Sequence, residues 1–340
     1  MNNQASAQAY WVLRLLNLPR VGNVKVRKIL DFCRAGGLSI SEFIERVLGG
    51  AEKTTVLESG YLDELRGEDR FVDEQWEALQ EAHVEPLLIG TEHYPSEKMH
   101  LLNNRAPVLL FARGNLDLME KPSLGFCGSR KASEKGLRTA WDISDQMARR
   151  GVNIVSGYAS GVDMTTHKTA LEAGGSTTIV LAEGILHFRI KKAVRELFDE
   201  SRILVLSEFL PRLPWSVRNA MQRNSTICAL SDAMVLIEAE ERGGSINAGR
   251  ACLEMQRPLF APVYEGMPKS ATGNVILLEK GAYELKKSRK TDRANLLRVE
   301  QLLFRSDNPE KSYHADLSPD AEQLALFEDA APYNASKKNS

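Results

Sequence analysis

Six short, almost wholly apolar segments recur through the middle of the chain: LGFCGS (124–129), VNIVSG (152–157), TTIVLA (177–182), ILVLSE (203–208), AMVLIEA (233–239) and PLFAPV (258–263). Between them lie stretches with amphipathic helical spacing, such as EKGLRTAWDISDQMARR and INAGRACLEMQ. Strands that are apolar on both faces and separated by helices belong to parallel sheets covered on both sides. The pattern predicts an α/β, Rossmann-like, doubly wound and mostly parallel sheet over residues 91–285. EPLLIG and the YPSEKMHLLNNRAPVLLFARGNLDLM stretch upstream read as short strands joined by loops.

The flanks differ in pattern. Residues 1–90 read as a small helical domain of helix-hairpin-helix or SAM-like type. A turn at Pro19–Gly22 precedes a basic helix with Val26, Ile29 and Leu30 on one side, and Ala35-Gly36-Gly37 precedes another helix. The L-P-x-V-G turn either closes a structural hairpin in a small bundle or turns backbone N–H groups toward a phosphate. Residues 286–340 form a charged tail: Lys286 to Arg305 has seven basic and two acidic side chains, Ser306 to Ala330 one basic and seven acidic. A short amphipathic helix is expected around Arg293 to Phe304, with the rest mobile.

Composition then acts by exclusion. The net charge of -1 advertises no global basic field, so any polyanion site must be a local patch. No apolar run approaches the ~20 residues of a membrane span. The N-terminal MNNQASAQAYWVLRLL lacks the layout of a secretory signal. A cytoplasmic protein without a membrane partner is expected. Cys33, Cys127, Cys228 and Cys252 form no C-x-x-C pair and are read as buried thiols, so neither a metal nor a cofactor is expected.

In an open parallel sheet, ligands bind at the carboxyl ends of the strands, near the point where strand order reverses. The loops to inspect are therefore Gly128-Ser129-Arg130, Ser156–Gly161, the segment AEGILHFRIKKAVR after 182, the helix carrying QRNSTICALS, and the EAEERGGSINAG turn with Gly243, Gly244 and Ser245. Small residues there let backbone approach a ligand, and each following helix offers N–H groups and a positive dipole end. With Arg130, Arg189, Lys191, Lys192 and Arg223 nearby, the set describes a polyanion site. A dinucleotide site fits poorly: G-x-G-x-x-G is absent, and Ser156 stands where an acidic residue should end the second strand. A Ser156–Asp163–His167 triad fits poorly as well, because G-x-S-x-G is missing and all three would crowd one turn. Asp163 is expected as a helix cap or first-turn acid, and His167, four residues on, as a polar residue bonded to it.

These pieces resemble, in order and spacing, the DNA-processing protein DprA (Smf) family. They are G-S-R at 128–130, VSGYASGVDMTTHKTALEAGG at 155–175, SE at 207–208, QRNSTICALSD at 222–232, IEA at 237–239, GGSINAGRACLE at 243–254 and a closing S-x-x-G-N…GA from Ser270 to Ala282. The resemblance implies a non-enzymatic protein that binds single-stranded DNA in a basic pocket, forms a homodimer and helps load the RecA recombinase in natural transformation and recombination. Carried over by position, Arg130 holds phosphate beside Ser129 and the N–H groups near Ser156 and Gly157. Arg223 and Asn224 match the start of the family's R-N-R, and Lys191 or Lys192 supplies the pocket lysine. The chain departs from the pattern at Ser225, in F-R-I-K-K where Y-P-x-x-N is usual, and at Pro262-Val263 in place of P-G; it reads as a divergent member.

The tail looks too short and acidic for the winged helix that many members carry. It holds QLALF, in which Gln323, Leu324, Leu326 and Phe327 resemble the motif that docks bacterial proteins into the polymerase sliding clamp. Two rival readings follow. One is a nucleoside monophosphate glycosidase-like enzyme, whose P-G-G-x-G-T-x-x-E is only partly matched by RGGSINAGRACLE. The other is a clamp-tethered adaptor in replication or phage defence.

Overall fold

Residues 3–51, 56–57, 59–264, 266, 268–289 and 291–304 are described by a computed structural model of the chain. The six apolar strands form, the upstream segments supply two more at 85–88 and 109–114, and one further strand at 283–285 completes a nine-stranded sheet. In chain order these are β1 (Glu85–Leu88), β2 (Leu109–Gly114), β3 (Ser123–Cys127), β4 (Asn153–Ser156), β5 (Thr177–Val180), β6 (Ile203–Ser207), β7 (Ala233–Leu236), β8 (Leu259–Pro262) and β9 (Tyr283–Leu285). Their spatial order is β1-β2-β6-β5-β4-β3-β7-β8-β9. The pairs from β6 to β9 are parallel, while β1 and β2 add an antiparallel edge. The chain steps outward from β3 through β4 and β5 to β6, then returns to the other side of β3 for β7. Strand order therefore reverses between β3 and β7, and a ligand crevice belongs beside that point.

Five helices precede the sheet: α1 (Asn3–Asn17), α2 (Asn23–Ala35), α3 (Ile40–Leu48), α4 (Ser59–Arg66) and α5 (Arg70–Glu81). A short α6 (Ser96–Met99) lies between β1 and β2. The parallel strands are connected through α7 (Glu134–Arg149), α8 (Val162–Glu172), α9 (Val217–Leu230), α10 (Gly244–Glu254) and α11 (Thr272–Glu279), and α12 (Leu297–Leu303) follows β9. Local chemistry fixes the ends. Ser39 and Glu42 form a reciprocal capping box on α3, and the Ser133 and Ser216 hydroxyls accept the Gly136 and Asn219 amides to start α7 and α9.

Alternation along the strands divides the core. Phe111, Ile179 and Val205 pack with Leu13, Val26, Phe43 and Leu79 of the N-terminal helices. Farther along the sheet, Leu124, Phe126 and Val235 pack with Ile143 and Met147 of α7. Leu110, Val180, Leu204 and Leu236 point the other way, toward Ile227 of α9, Ile246 of α10 and Leu277 of α11. The helical N-terminal segment thus shares a core with the sheet.

The helix expected over 293–304 begins only at Leu297. Arg293 is drawn sideways into Asp142 (2.5 Å) and Asp145 (2.7 Å) on α7, and the Asn295 side chain accepts the Leu297 amide. Gln323, Leu324, Leu326 and Phe327 lie outside the described residues. No described helix is long and apolar enough to cross a membrane, and no cluster of metal-ligating side chains occurs among the described residues.

Candidate functional site

The carboxyl ends of β3, β4 and β5, together with α9, enclose a cavity of about 280 Å³. Arg130 arrives from the loop after β3, Tyr158 to Ser160 from the loop after β4, Ala182, Glu183 and Lys191 from the segment after β5, Trp215 from the turn just before α9, and Arg223 from the middle of that helix. Three cations face one carboxylate across it. The Arg130 guanidinium lies over the Trp215 ring, 5.4 Å from its centroid, and the Lys191 ammonium sits 4.3 Å from that of Tyr158. Lys191 Nζ also donates to the Tyr158 carbonyl, while its backbone amide donates to the Tyr158 hydroxyl (2.9 Å). Burial holds the Lys191 ammonium below the ordinary lysine range, only partly offset by the carboxylates of Asp163 and Glu183. An anion entering the cavity would relieve that cost.

The glycines are there for close approach. Gly161 has φ +82, and a Cβ there would sit 2.7 Å from the carbonyl oxygens of both Ser129 and Arg130. A Cβ on Gly128 would lie 2.6 Å from Val162, and one on Gly157 would overlap the Arg223 guanidinium. Arg223 is 6% exposed; its Nη1 donates to the Val180 carbonyl (2.6 Å), which aims the guanidinium under Gly157 and into the cavity.

Several predicted site residues are placed elsewhere. Ser156 is completely buried, its hydroxyl within reach of Phe126 O (2.9 Å) and Asp163 Oδ1 (3.1 Å), so its side chain braces the loop and cannot meet a ligand. The Ala159 amide is likewise taken by Asp163 Oδ2 (3.1 Å), and the Ser129 amide donates to Glu238 O (3.0 Å). Neither N–H remains for a phosphate. Lys191 lines the cavity and Lys192 does not. Arg189 spends Nη1 on the carbonyls of Leu186 (3.0 Å) and Phe188 (2.7 Å). Gly243, Gly244 and Ser245 open α10 beyond the cavity and connect to it through Asn224, whose Nδ2 donates to Gly244 O (3.3 Å).

The expected Asp163–His167 bond is not made. The fully buried His167 turns toward the sheet: Nε2 meets the Gly157 carbonyl (2.5 Å), which can only accept, so Nε2 carries a proton, and Nδ1 lies 2.6 Å from the Thr177 hydroxyl, which also reaches the Ile154 carbonyl (2.6 Å). Burial pushes its pKa down to about 4. Asp163 turns the other way, to Ser156 and Ala159. The serine, aspartate and histidine brace a loop and do not form a proton relay.

Sequence reasoning misses Trp215 and Tyr158. Trp215 is 47% exposed in the PRLPWS turn, and an aromatic flanked by Pro211 and Pro214 just before a capping serine is the signal that could have found it. Together the cavity offers guanidinium and ammonium groups for phosphate oxygens and two aromatic faces for stacking.

Comparison with known proteins points the same way. The family model described as DNA recombination-mediator protein A matches residues 85–294. Protein Smf of Escherichia coli is 33% identical over 242 residues, covering 69% of this chain and 62% of that protein. The match therefore spans about three fifths of the relative's length. DNA processing protein DprA of Bacillus subtilis is 28% identical over 208 residues, 60% of this chain and 69% of that protein. The structure of DprA from Streptococcus pneumoniae superposes with a TM-score of 0.66 at 25% identity, covering 81% of this chain and 94% of that one. DprA from Helicobacter pylori, described for its single-stranded DNA binding mode, gives 0.51 at 26% identity over 59% of this chain and 90% of that one. With the strand-end loops, the sheet order and the family match in agreement, the chain belongs to the DNA recombination-mediator protein A (DprA/Smf) family.

Proposed function

We propose that this chain binds single-stranded DNA at the strand-end cavity, without catalysing a reaction on it, and works as a homodimer that passes the strand to the RecA recombinase. The observation that carries the reading is the meeting of Arg130, Lys191 and Arg223 with the rings of Trp215 and Tyr158 around one cavity. Support comes from the Helicobacter pylori relative, described by its binding of single-stranded DNA, and from the mediator role in the family's description. Phosphate oxygens displace the internal partners of Arg130 and Lys191, and a base stacks where Arg130 now covers Trp215. A small pocket whose binding groups are cations and π-faces favours binding that is indifferent to sequence.

Fluorescence anisotropy with dT oligomers tests it. Arg130→Glu is expected to weaken binding at least about tenfold and to lower the slope of log K against log salt by about 0.7 for each phosphate that is no longer neutralised. Unchanged affinity and slope would sink the assignment. Because binding demands a charged Lys191 whose pKa burial lowers, affinity should fall as pH rises toward that pKa, and Lys191→Arg should remove the decline.

A further inference from the structure

A second and much larger depression, about 1270 Å³, opens on the other side of α9. Its walls are the α1–α2 turn with the start of α2, the loop through Arg105, and the outer faces of α9 and α10. Six cations line it: Arg20, Lys25, Lys28, Arg105, Arg218 and Arg250. The acids are Glu254 and Glu208, and Glu208 is buried beneath hydrogen bonds from Gln222 (2.7 Å) and Thr226 (2.6 Å), with its pKa raised by burial. Among the cations stand exposed apolar side chains: Phe32 (42% exposed), Val24 (54%) and Met221 (45%). The volume exceeds the roughly 300–1,000 Å³ of small-ligand pockets, and exposed cations interleaved with an aromatic suit a polymer with a charged backbone and flat apolar faces.

Three consecutive residues of α9 connect this groove to the strand-end cavity. Arg223 lines the cavity, Asn224 donates to Gly244 O at the mouth of α10, and Ser225 lines the groove. At the start of the helix, Trp215 belongs to the cavity and Arg218 to the groove. The two sites are therefore separated by one helix, about 10 Å across. The Gly22–Lys25 turn also opens α2 into the groove: Gly22 gives no side-chain cap, and the first turn carries no acid.

We propose that this groove holds a second stretch of the same DNA single strand, which crosses the N-terminal end of α9 past Trp215 and Arg218. Its phosphates lie along Arg20, Lys28, Arg105, Arg218 and Arg250, and its bases rest against Phe32 and Met221. The proposal rests on the cavity reading for the first stretch, and it assigns to the L-P-x-V-G turn a part in DNA contact. It predicts that long-strand affinity depends on the groove cations, beyond what a strand bridging the two cavities of a homodimer gains from its length.

Titration of the full chain with dT oligomers of about 6 and about 30 nucleotides, at two salt concentrations, tests it. Lys28 and Arg218 are exposed, so Lys28→Glu with Arg218→Glu leaves the fold intact; unchanged thermal melting checks this. The pair should weaken the long oligomer at least about tenfold, lower its salt slope by about 1.4, and leave the short oligomer within about twofold. Lys28→Arg with Arg218→Lys should restore long-oligomer binding. Equal loss on both lengths, no loss on the long one, or a pair-dependent preference for blunt duplex would overturn the proposal. If Arg130→Glu spares the short oligomer while the groove pair still cripples the long one, the cavity reading falls and the groove stands.

Discussion

Gly161 joins the two loops on which the candidate site depends. Its positive φ and the approach of two carbonyl oxygens at 2.7 Å exclude any side chain, so the loop after β4 can touch the loop that carries Arg130. His167 does the complementary work from below, fixing the Gly157 carbonyl while remaining neutral. An unfolded histidine titrates near 6.5, the folded one at about 4. Between those values the unfolded chain holds a proton that the native one refuses, so stability rises with pH through the window. Above it the contribution is complete, about 3 kcal/mol, and it is lost as pH falls toward 4. Glu208, raised by burial, acts in the opposite sense, so the comparison must be differential. Urea unfolding at pH 7 and pH 4.5 should show a shallower loss for His167→Gln than for the native chain; identical slopes would refute this role. The side chains of Asp163 and His167 also mark where sequence reasoning stops. Their i, i+4 spacing permits a mutual bond, but whether each turns to its neighbour or to the sheet depends on Thr177 and Ser156, which reach them only through tertiary packing.

At the level of elements, the strand ends are held in register by buried polar side chains. Asn274, at the start of α11, accepts from the Ala239 amide (3.0 Å) and donates to the carbonyls of Ile237 (3.0 Å) and Pro262 (3.3 Å), tying the ends of β7 and β8 together. Glu238 accepts the Ser133 amide (2.8 Å) and hydroxyl (2.5 Å), tying β7 to the cap of α7. Asn274→Ala removes the partner of the buried Ala239 amide and one donor each from the Ile237 and Pro262 carbonyls, the former keeping the Tyr264 hydroxyl (3.2 Å), and is expected to cost about 2 kcal/mol, read as a lower denaturation midpoint at unchanged m-value. A loss under about 0.5 kcal/mol would show that water repairs the gap. Six of the seven parallel strands are legible because burial on both faces writes itself as continuous apolar runs. The short edge strand β9 offers three residues, too few for a period, and its pairing is decided by neighbours the sequence does not reveal locally.

Across the whole molecule, charge is nearly balanced, yet cations converge on both sides of α9. The first of these patches is readable in part, since strand-end loops of a doubly wound sheet must share one edge. Arg130, Lys191 and Arg223 follow from that rule. Trp215 and the groove do not, because they arise from how the N-terminal helices and α9 pack, and the net charge of -1 conceals both. A DNA single strand bound as proposed lies against Tyr158 and Trp215. Photocrosslinking of a bromodeoxyuridine-substituted dT oligomer to the full chain, followed by peptide mapping, tests it directly. Crosslinks in the peptides carrying Tyr158 and Trp215, abolished in Arg130→Glu, are the predicted result; efficient crosslinks that map elsewhere and survive Arg130→Glu would contradict it.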